Sequence, residues 1–358
     1  MLSKLLNVYK VKFSVLENLF KDYNDKNKII NIHIDLHTIL SNLYKVDNYI
    51  ETNWISNKNS IVISSCILNI IAHYRLFFYS RYKISTRIFL YYTNTRPRNN
   101  MEYCKEYGYK FFDKYSINNE KYKPVNVEVA SNLKLVKLIT EYIPDVFYIR
   151  CKNVDPVIGI GHIINTYDNK NLIITKDELL YQLINMNKTT ILVPKRDESY
   201  IIDKNNIYSI LLAKKSYTVT TLLPELLSVV YSFSGMKSRD VRGLTGYGYY
   251  KIAKILDIAA QKDIINNKYT HIKNILDDIY TGTNENSKLL INNFKAIDLA
   301  YQLNELTIAQ KEILNNCITT KYNKKDLLSL NNTYYTNDNS IMLEELFKGT
   351  TKLDTFKW

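Results

Sequence analysis

Short apolar strands alternate with helical stretches over the first 203 residues, and this alternation restricts the possible folds more than any other feature. The strand patterns cover residues 30–35, 87–92, 146–149, 171–174 and 191–194. Parallel strands need a long crossover between them, and a helix usually supplies it. We therefore predict an α/β domain over residues 1–203, with a mostly parallel sheet and helices on both faces. Asp35 is expected at the carboxyl end of the first strand, where open α/β sheets place their functional groups.

Residues 204–330 are predicted to be mostly helical, and they carry a glycine-rich turn just before a helical pattern. Four of the nine glycines of the chain lie between Gly235 and Gly248. A turn without side chains lets a phosphate approach the main-chain amides, and the positive end of the following helix adds attraction. The candidate DNA-binding residues here are Gly243, Gly246, Gly248, Tyr249, Lys251 and Lys254. The alternative is an ordinary glycine turn before a helix.

The charge of the chain favours an acidic partner. Its 358 residues carry a formal net charge of +13, and a basic surface binds nucleic acid by displacing counterions from the phosphates. Residues 96–123 mix basic and aromatic side chains, and we expect Arg96 and Arg98 to contact DNA there. That segment is equally well explained as a solvated helical excursion whose aromatic side chains pack inward. The 31 tyrosines are also what an AT-rich genome encodes, so they need not stack on bases.

Neither a disulfide framework nor a zinc site is indicated by the four widely spaced cysteines. The N-terminus lacks a signal-peptide pattern, because lysines are spread through its apolar positions. The longest apolar run, residues 61–79, is interrupted by His73 and Arg75, which favours a buried helix over a membrane span. We expect a cytoplasmic protein with no membrane partner.

Four segments together resemble the flap endonuclease and 5′-to-3′ exonuclease superfamily in their order and spacing. They are INIHIDLHTIL with Asp35, NVDPVIG from Asn153 to Gly159, ITKDELLYQL from Ile174 to Leu183, and GMKSRDVRGLTGYG from Gly235 to Gly248. The resemblance runs from about residue 28 to about residue 270. It implies a PIN-like, mostly parallel sheet flanked by helices, followed by a helical portion with a helix-three-turn-helix that grips DNA.

The same resemblance implies a metal site, and the chain departs from it. The family cleaves phosphodiesters with two divalent metals held by a cluster of carboxylates. Asp35, Asp155 and Asp177 are retained as a remnant that could hold Mg²⁺. Other expected acids are replaced by Thr93 or Asn94, Asn153, Pro156, Leu179, Met236 and Arg239. A cation such as Arg239 should repel metals, so we expect the chemistry to be lost. Alternatively, the three Asp residues cap helices or accept hydrogen bonds at strand ends.

These observations predict a catalytically inactive DNA-binding protein, viral or phage in origin, that acts in a replication, repair or transcription assembly. One alternative is a metal-dependent, structure-specific 5′ nuclease with a reduced site. Another is a structural subunit that has lost the DNA contact. Residues 331–358 are predicted to form a linker and a hydrophobic tail. The tail is expected either to dock on a sliding clamp or polymerase subunit or to pack back on its own domain.

Overall fold

The structure is a computed structural model. It describes residues 16, 29–39, 61–93, 133–151, 154–167, 169–184, 189–194, 199–203, 206–207, 224–236, 239, 241–248, 251–252 and 284–318.

A six-stranded sheet in the order β3-β2-β1-β4-β5-β6 forms the centre of the described part. Its strands are β1 (Ile29–Asp35), β2 (Ser85–Tyr92), β3 (Val146–Arg150), β4 (Lys170–Ile174), β5 (Thr189–Val193) and β6 (Tyr200–Ile202). The first five pair in parallel, and only the short edge strand β6 runs antiparallel to its neighbour. The predicted mostly parallel sheet is confirmed, with each of its five parallel strands within two residues of its sequence pattern, whereas the edge strand β6 was not predicted.

Helices cover both faces of the sheet, so its strands are buried on both sides. The α-helices are α1 (Ile61–Tyr82), α2 (Pro156–Thr166), α3 (Leu227–Ser234), α4 (Asn284–Ile297), α5 (Leu299–Asn304) and α6 (Ile308–Asn316). Short 3-10 helices span Glu178–Leu183 and Pro224–Leu226, and residues 133–140 are also helical. Apolar side chains of α1 pack against Ile30, Ile32 and Ile34 on one face. On the other face, α2 to α6 pack against side chains such as Phe89 and Ile173.

The second face of β1 carries polar side chains, and His33 has a hydrogen-bond partner there for each ring nitrogen. His33 is fully buried, and its Nε2 lies 3.0 Å from Oδ1 of Asn171. Because the Asn171 amide nitrogen donates to the Asn169 carbonyl, its oxygen is the acceptor, so His33 Nε2 is the donor. His33 Nδ1 therefore accepts the hydroxyl proton of Tyr91 at 2.9 Å. This fixed tautomer allows a neutral imidazole inside the core.

The segments after residue 203 pack into the same core as the sheet, because α3 and α4 share a hydrophobic cluster with α2. The division into units at residues 203 and 330 stays a prediction. A two-stranded hairpin, β7 (Gly235–Met236) and β8 (Val241–Arg242), follows α3 directly. In the described ranges, no helix combines the length and the apolar character that crossing a lipid bilayer requires.

Candidate functional site

Three carboxylates lie at the carboxyl edge of the parallel strands, where the sequence places them. Asp35 ends β1, Asp155 precedes α2 after β3, and Asp177 follows β4. Parallel pairing of β1 with β2 and β4, and of β2 with β3, brings these strand ends to one side of the sheet. Each carboxylate has protein donors within hydrogen-bonding distance, and these donors decide what the site can hold.

Asp35 is a hydrogen-bond acceptor that ties β1 to the segment after β4. Its Oδ1 accepts the His37 main-chain N–H at 3.0 Å, and its Oδ2 accepts the hydroxyls of Thr38 at 2.8 Å and Thr175 at 3.1 Å. Those two hydroxyl oxygens accept main-chain N–H groups from Lys176 and Asp177. Their protons therefore point at Asp35. The carboxylate is 6% exposed, and all three interactions require it to accept.

Asp155 and Asp177 are both helix N-caps. Oδ1 of Asp155 accepts the Val157 N–H at 2.9 Å at the start of α2. Oδ1 of Asp177 accepts the Leu179 N–H at 3.0 Å at the start of the 3-10 helix. Side-chain oxygens in this position satisfy main-chain donors that a helix end leaves unpaired. One oxygen of each carboxylate is thereby committed to local structure.

The other oxygen of each carboxylate binds Arg239. Its Nη1 donates to Oδ2 of Asp155 and its Nη2 donates to Oδ2 of Asp177, so one guanidinium bridges two carboxylates that lie 22 residues apart in the chain. The sequence argument placed Arg239 where an acid is expected and predicted that its charge would repel metal cations. The structure adds a contact that was not predicted, because the guanidinium is the counter-ion of both carboxylates.

The ion pair is almost completely removed from water. The side chains of Arg239, Asp155 and Asp177 are 2%, 3% and 12% exposed. Burial raises the pKa of the Asp177 carboxyl above its ordinary value, while the charge of Arg239 opposes that shift. Burial also lowers the pKa of His37, whose imidazole is close enough to Asp35, Asp155 and Arg239 to respond to their charges. The centre of the site is therefore shielded from water, and neighbouring charges influence the pKa values of Asp177 and His37.

Two positions that the family resemblance assigns to acids belong to the hydrophobic core. Leu179 is 1% exposed and Met236 is 2% exposed, and both lie in the cluster beneath α2 and α3. Thr93, one of two candidates for a third such position, is buried and donates its main-chain N–H to Nε2 of His37 at 3.4 Å. The other candidate, Asn94, and the replaced acid position Asn153 lie outside the described residues. These side chains offer no carboxylate oxygen to a metal.

The residues present do not fit a divalent metal centre. Hard cations need several free oxygen ligands. Here both outward oxygens of Asp155 and Asp177 bind a guanidinium, and both oxygens of Asp35 accept protein donors. Over the described residues, no group of three or more His, Cys, Asp and Glu side chains is arranged to hold a metal ion.

The hairpin that carries Arg239 leads directly into the glycine-rich turn. The main-chain N–H of Leu244 donates to the Phe233 carbonyl at 2.7 Å, which folds the segment back on α3. From α4, the amide nitrogen of Asn293 donates to the carbonyls of Ser232 at 2.9 Å and Arg242 at 2.8 Å. Arg239 and the turn are therefore fixed to the same helices.

The three glycines of the turn differ in their surroundings. Gly243 packs against the main chain, since a Cβ there would lie 2.5 Å from the Gly235 nitrogen. Gly246 has φ +84°, a conformation that favours glycine, and an added Cβ at Gly246 or at Gly248 would meet no atom of the described residues within 4 Å. Gly243 thus has a packing reason to be glycine, whereas Gly246 and Gly248 lie in open space.

Residues 251–252 are helical, within the helix that the sequence predicts from near Tyr249, whose first residues lie outside the described ranges. The Ile252 N–H donates to the Gly248 carbonyl at 3.3 Å, and Ile252 is buried. Lys251 is exposed, and its Nζ lies 4.2 Å from the centre of the Tyr247 ring. Its positive charge is held beside the open glycines. Other predicted contacts lie outside the described residues, namely Tyr249, Lys254, Arg96, Arg98 and the tail at 331–358.

Solved structures show that the chain has a flap-endonuclease-like fold. A bacteriophage T5 flap endonuclease, solved as a pseudo-enzyme–product complex with DNA and metal ions, has a TM-score of 0.53 and 17% identity. That similarity covers 84% of this chain and 98% of the T5 chain. The T5 5′-exonuclease with bound zinc gives 0.52 and 18%, over 84% of this chain and 99% of that one. No protein-family model and no curated protein matches the sequence.

Proposed function

We propose that this protein binds duplex or branched DNA through its glycine turn and does not cleave it. The observation that carries the proposed absence of cleavage is the bridge from Arg239 to Asp155 and Asp177. Family-type cleavage needs two metals that stabilise the attacking water and the leaving oxygen. In this site a guanidinium already neutralises Asp155 and Asp177, and helix caps and threonine hydroxyls use other lone pairs, so little negative charge is left to hold two such ions.

Three observations support DNA binding. The fold is that of a T5 flap endonuclease that was solved with DNA. The net charge is +13, which favours a polyanion. The described turn exposes Gly246 and Gly248 beside Lys251, so a phosphate can reach main-chain amides and a cation together. Main-chain amides and lysines contact phosphates rather than base edges, so the binding is largely independent of sequence.

One gel assay tests both parts. The full-length protein is incubated with 5′-flap, nicked and single-stranded DNA, with Mg²⁺ or Mn²⁺, and both retarded and shortened DNA are measured. We expect retardation of the duplex-containing substrates without shortening. A Mg²⁺-dependent incision that Asp35→Ala abolishes would establish the reduced-site nuclease instead. A folded protein that retards none of the substrates would leave the structural-subunit alternative.

The assembly in which such a protein acts is a further part of the proposal. We place it in DNA replication, repair or transcription, with magnesium absent from its own site. Docking of the tail on a sliding clamp or polymerase subunit stays a prediction, since the described residues end at 318.

A further inference from the structure

We infer that the guanidinium of Arg239 is a built-in cation, which replaces divalent metal ions as the positive charge that holds Asp155 and Asp177 together. This inference concerns stability and stands independently of DNA binding. Its basis is the disagreement between a fold whose relatives were solved with metal ions and a carboxylate pair that is already neutralised.

The negative charge of the buried Asp155 and Asp177 carboxylates has to be compensated. Asp155 is close enough to Asp177 for its negative charge to raise the pKa of Asp177, in addition to the effect of burial. Two carboxylates removed from water repel each other and lose hydration, and a like pair of this kind is stable only with a shared proton or a counter-ion. Arg239 supplies the counter-ion with two separate nitrogens, one for each carboxylate.

The protein scaffold brings the guanidinium to this position. Arg239 lies between β7 and β8, whose residues Met236 and Val241 are paired and buried. The hairpin is fastened at its base by Asn293 and by the tight contact of Gly235 with Gly243. The cation is therefore attached to a fixed element. Unlike a bound metal, it cannot dissociate or exchange with solvent.

The geometry also shows what removal of the guanidinium would create. Oδ2 of Asp155 and Oδ2 of Asp177 both point at the same small group, so truncating Arg239 leaves two facing carboxylates and room for a hydrated ion. Mg²⁺ and Mn²⁺ bind proteins through as few as one or two carboxylates while keeping several waters. Truncation should therefore exchange a permanent cation for an exchangeable one.

Thermal unfolding of the full-length protein, in EDTA and in millimolar Mn²⁺, tests the inference. We expect the same wild-type Tm in both solutions. Arg239→Ala should lower the Tm by several degrees in EDTA, and Mn²⁺ should restore part of that loss, because a ligand that binds only the folded state stabilises it. Adding Asp177→Asn to Arg239→Ala should abolish the Mn²⁺ response. Arg239→Lys keeps a positive charge and is the matched control, with no Mn²⁺ response.

Two results would overturn the inference. One is a wild-type Tm that rises in Mn²⁺ as much as that of Arg239→Ala. The other is an Arg239→Ala protein as stable in EDTA as the wild type. If Arg239→Ala does not fold, the variant combining Arg239→Met with Asp155→Asn and Asp177→Asn decides. Folding of this neutral variant supports a charge requirement, whereas its failure to fold attributes the loss to packing and contradicts the inference.

Discussion

Gly243 lies so close to Gly235 that a Cβ on Gly243 would come within 2.5 Å of the Gly235 main-chain nitrogen. The main chain cannot shift easily there, because the next residue, Leu244, donates its main-chain N–H to the Phe233 carbonyl. We expect Gly243→Ala to reduce the free energy of unfolding by about 1–3 kcal/mol through overpacking. Urea denaturation measures this loss. Gly248→Ala is the matched control, since its Cβ meets no atom within 4 Å. Equal free energies of unfolding for Gly243→Ala and Gly248→Ala would contradict the packing role assigned to Gly243.

Gly248 also tests whether a phosphate approaches the turn. Gly248→Gln adds a side chain into open space and leaves the described packing intact. If the phosphate lies against the amides, the bulky side chain should weaken binding to nicked duplex DNA about tenfold or more, whereas Gly248→Ala should have little effect. Fluorescence anisotropy at fixed salt measures both. Unchanged affinity in a folded Gly248→Gln protein would move the DNA contact away from this turn.

Lys251 should contribute one phosphate contact to the affinity. Its removal in Lys251→Gln should weaken duplex binding and reduce the slope of log affinity against log salt by about 0.9. Lys83→Asn is the charge-matched control at the opposite edge of the sheet, and asparagine tolerates the positive φ of 54° at that position. A Lys83→Asn effect equal to that of Lys251→Gln would indicate general charge attraction instead of a site at the turn.

Substitution of Asp35 distinguishes a structural carboxylate from a metal ligand. In Asp35→Asn, the new amide nitrogen faces groups that already donate, including the threonine hydroxyls. We expect a loss of about 1–3 kcal/mol in the free energy of unfolding, because buried donors lose an acceptor. Urea denaturation measures it, with the exposed Glu312→Gln as a control for loss of one negative charge. A stabilised Asp35→Asn protein would indicate repulsion among carboxylates, as in an empty metal site.

His33 makes the fold sensitive to mild acid. Burial lowers the pKa of His33 from its ordinary value of 6.5 to about 4. Between these values the unfolded chain takes up a proton that the folded chain does not, so stability falls as the pH falls from 6.5 towards 4. The full contribution is roughly 3 kcal/mol. His33→Gln should therefore show a flatter dependence of the urea midpoint on pH between pH 7 and pH 5. If the wild type and His33→Gln show the same dependence of the urea midpoint on pH, a group other than His33 takes up the proton on unfolding.

The sequence predicted the sheet better than the site. Strands such as β1 and β4 are short apolar runs between helical segments, and their parallel pairing follows from those connections. The positions of Asp35, Asp155 and Asp177 at one edge follow from the same rule. The bridge to Arg239 could not be predicted, because it joins residues 62 and 84 positions apart and depends on the path of a hairpin with only two residues in each strand. The charge of Arg239 alone does not show which groups it contacts until the fold is known.

If the site does not cleave DNA, as proposed above, the burial of Leu179 and Met236 sets what it would take to restore cleavage. Restoring an acid at Leu179 would place a new carboxylate in a position that is 1% exposed and packed within the core. The same holds for Met236. An engineer who replaced only Arg239 would obtain at most a weak ion-binding pair, and each acid placed in the core without a partner would lower the stability. On that proposal, new ligands have to be introduced together with new packing beneath α2 and α3.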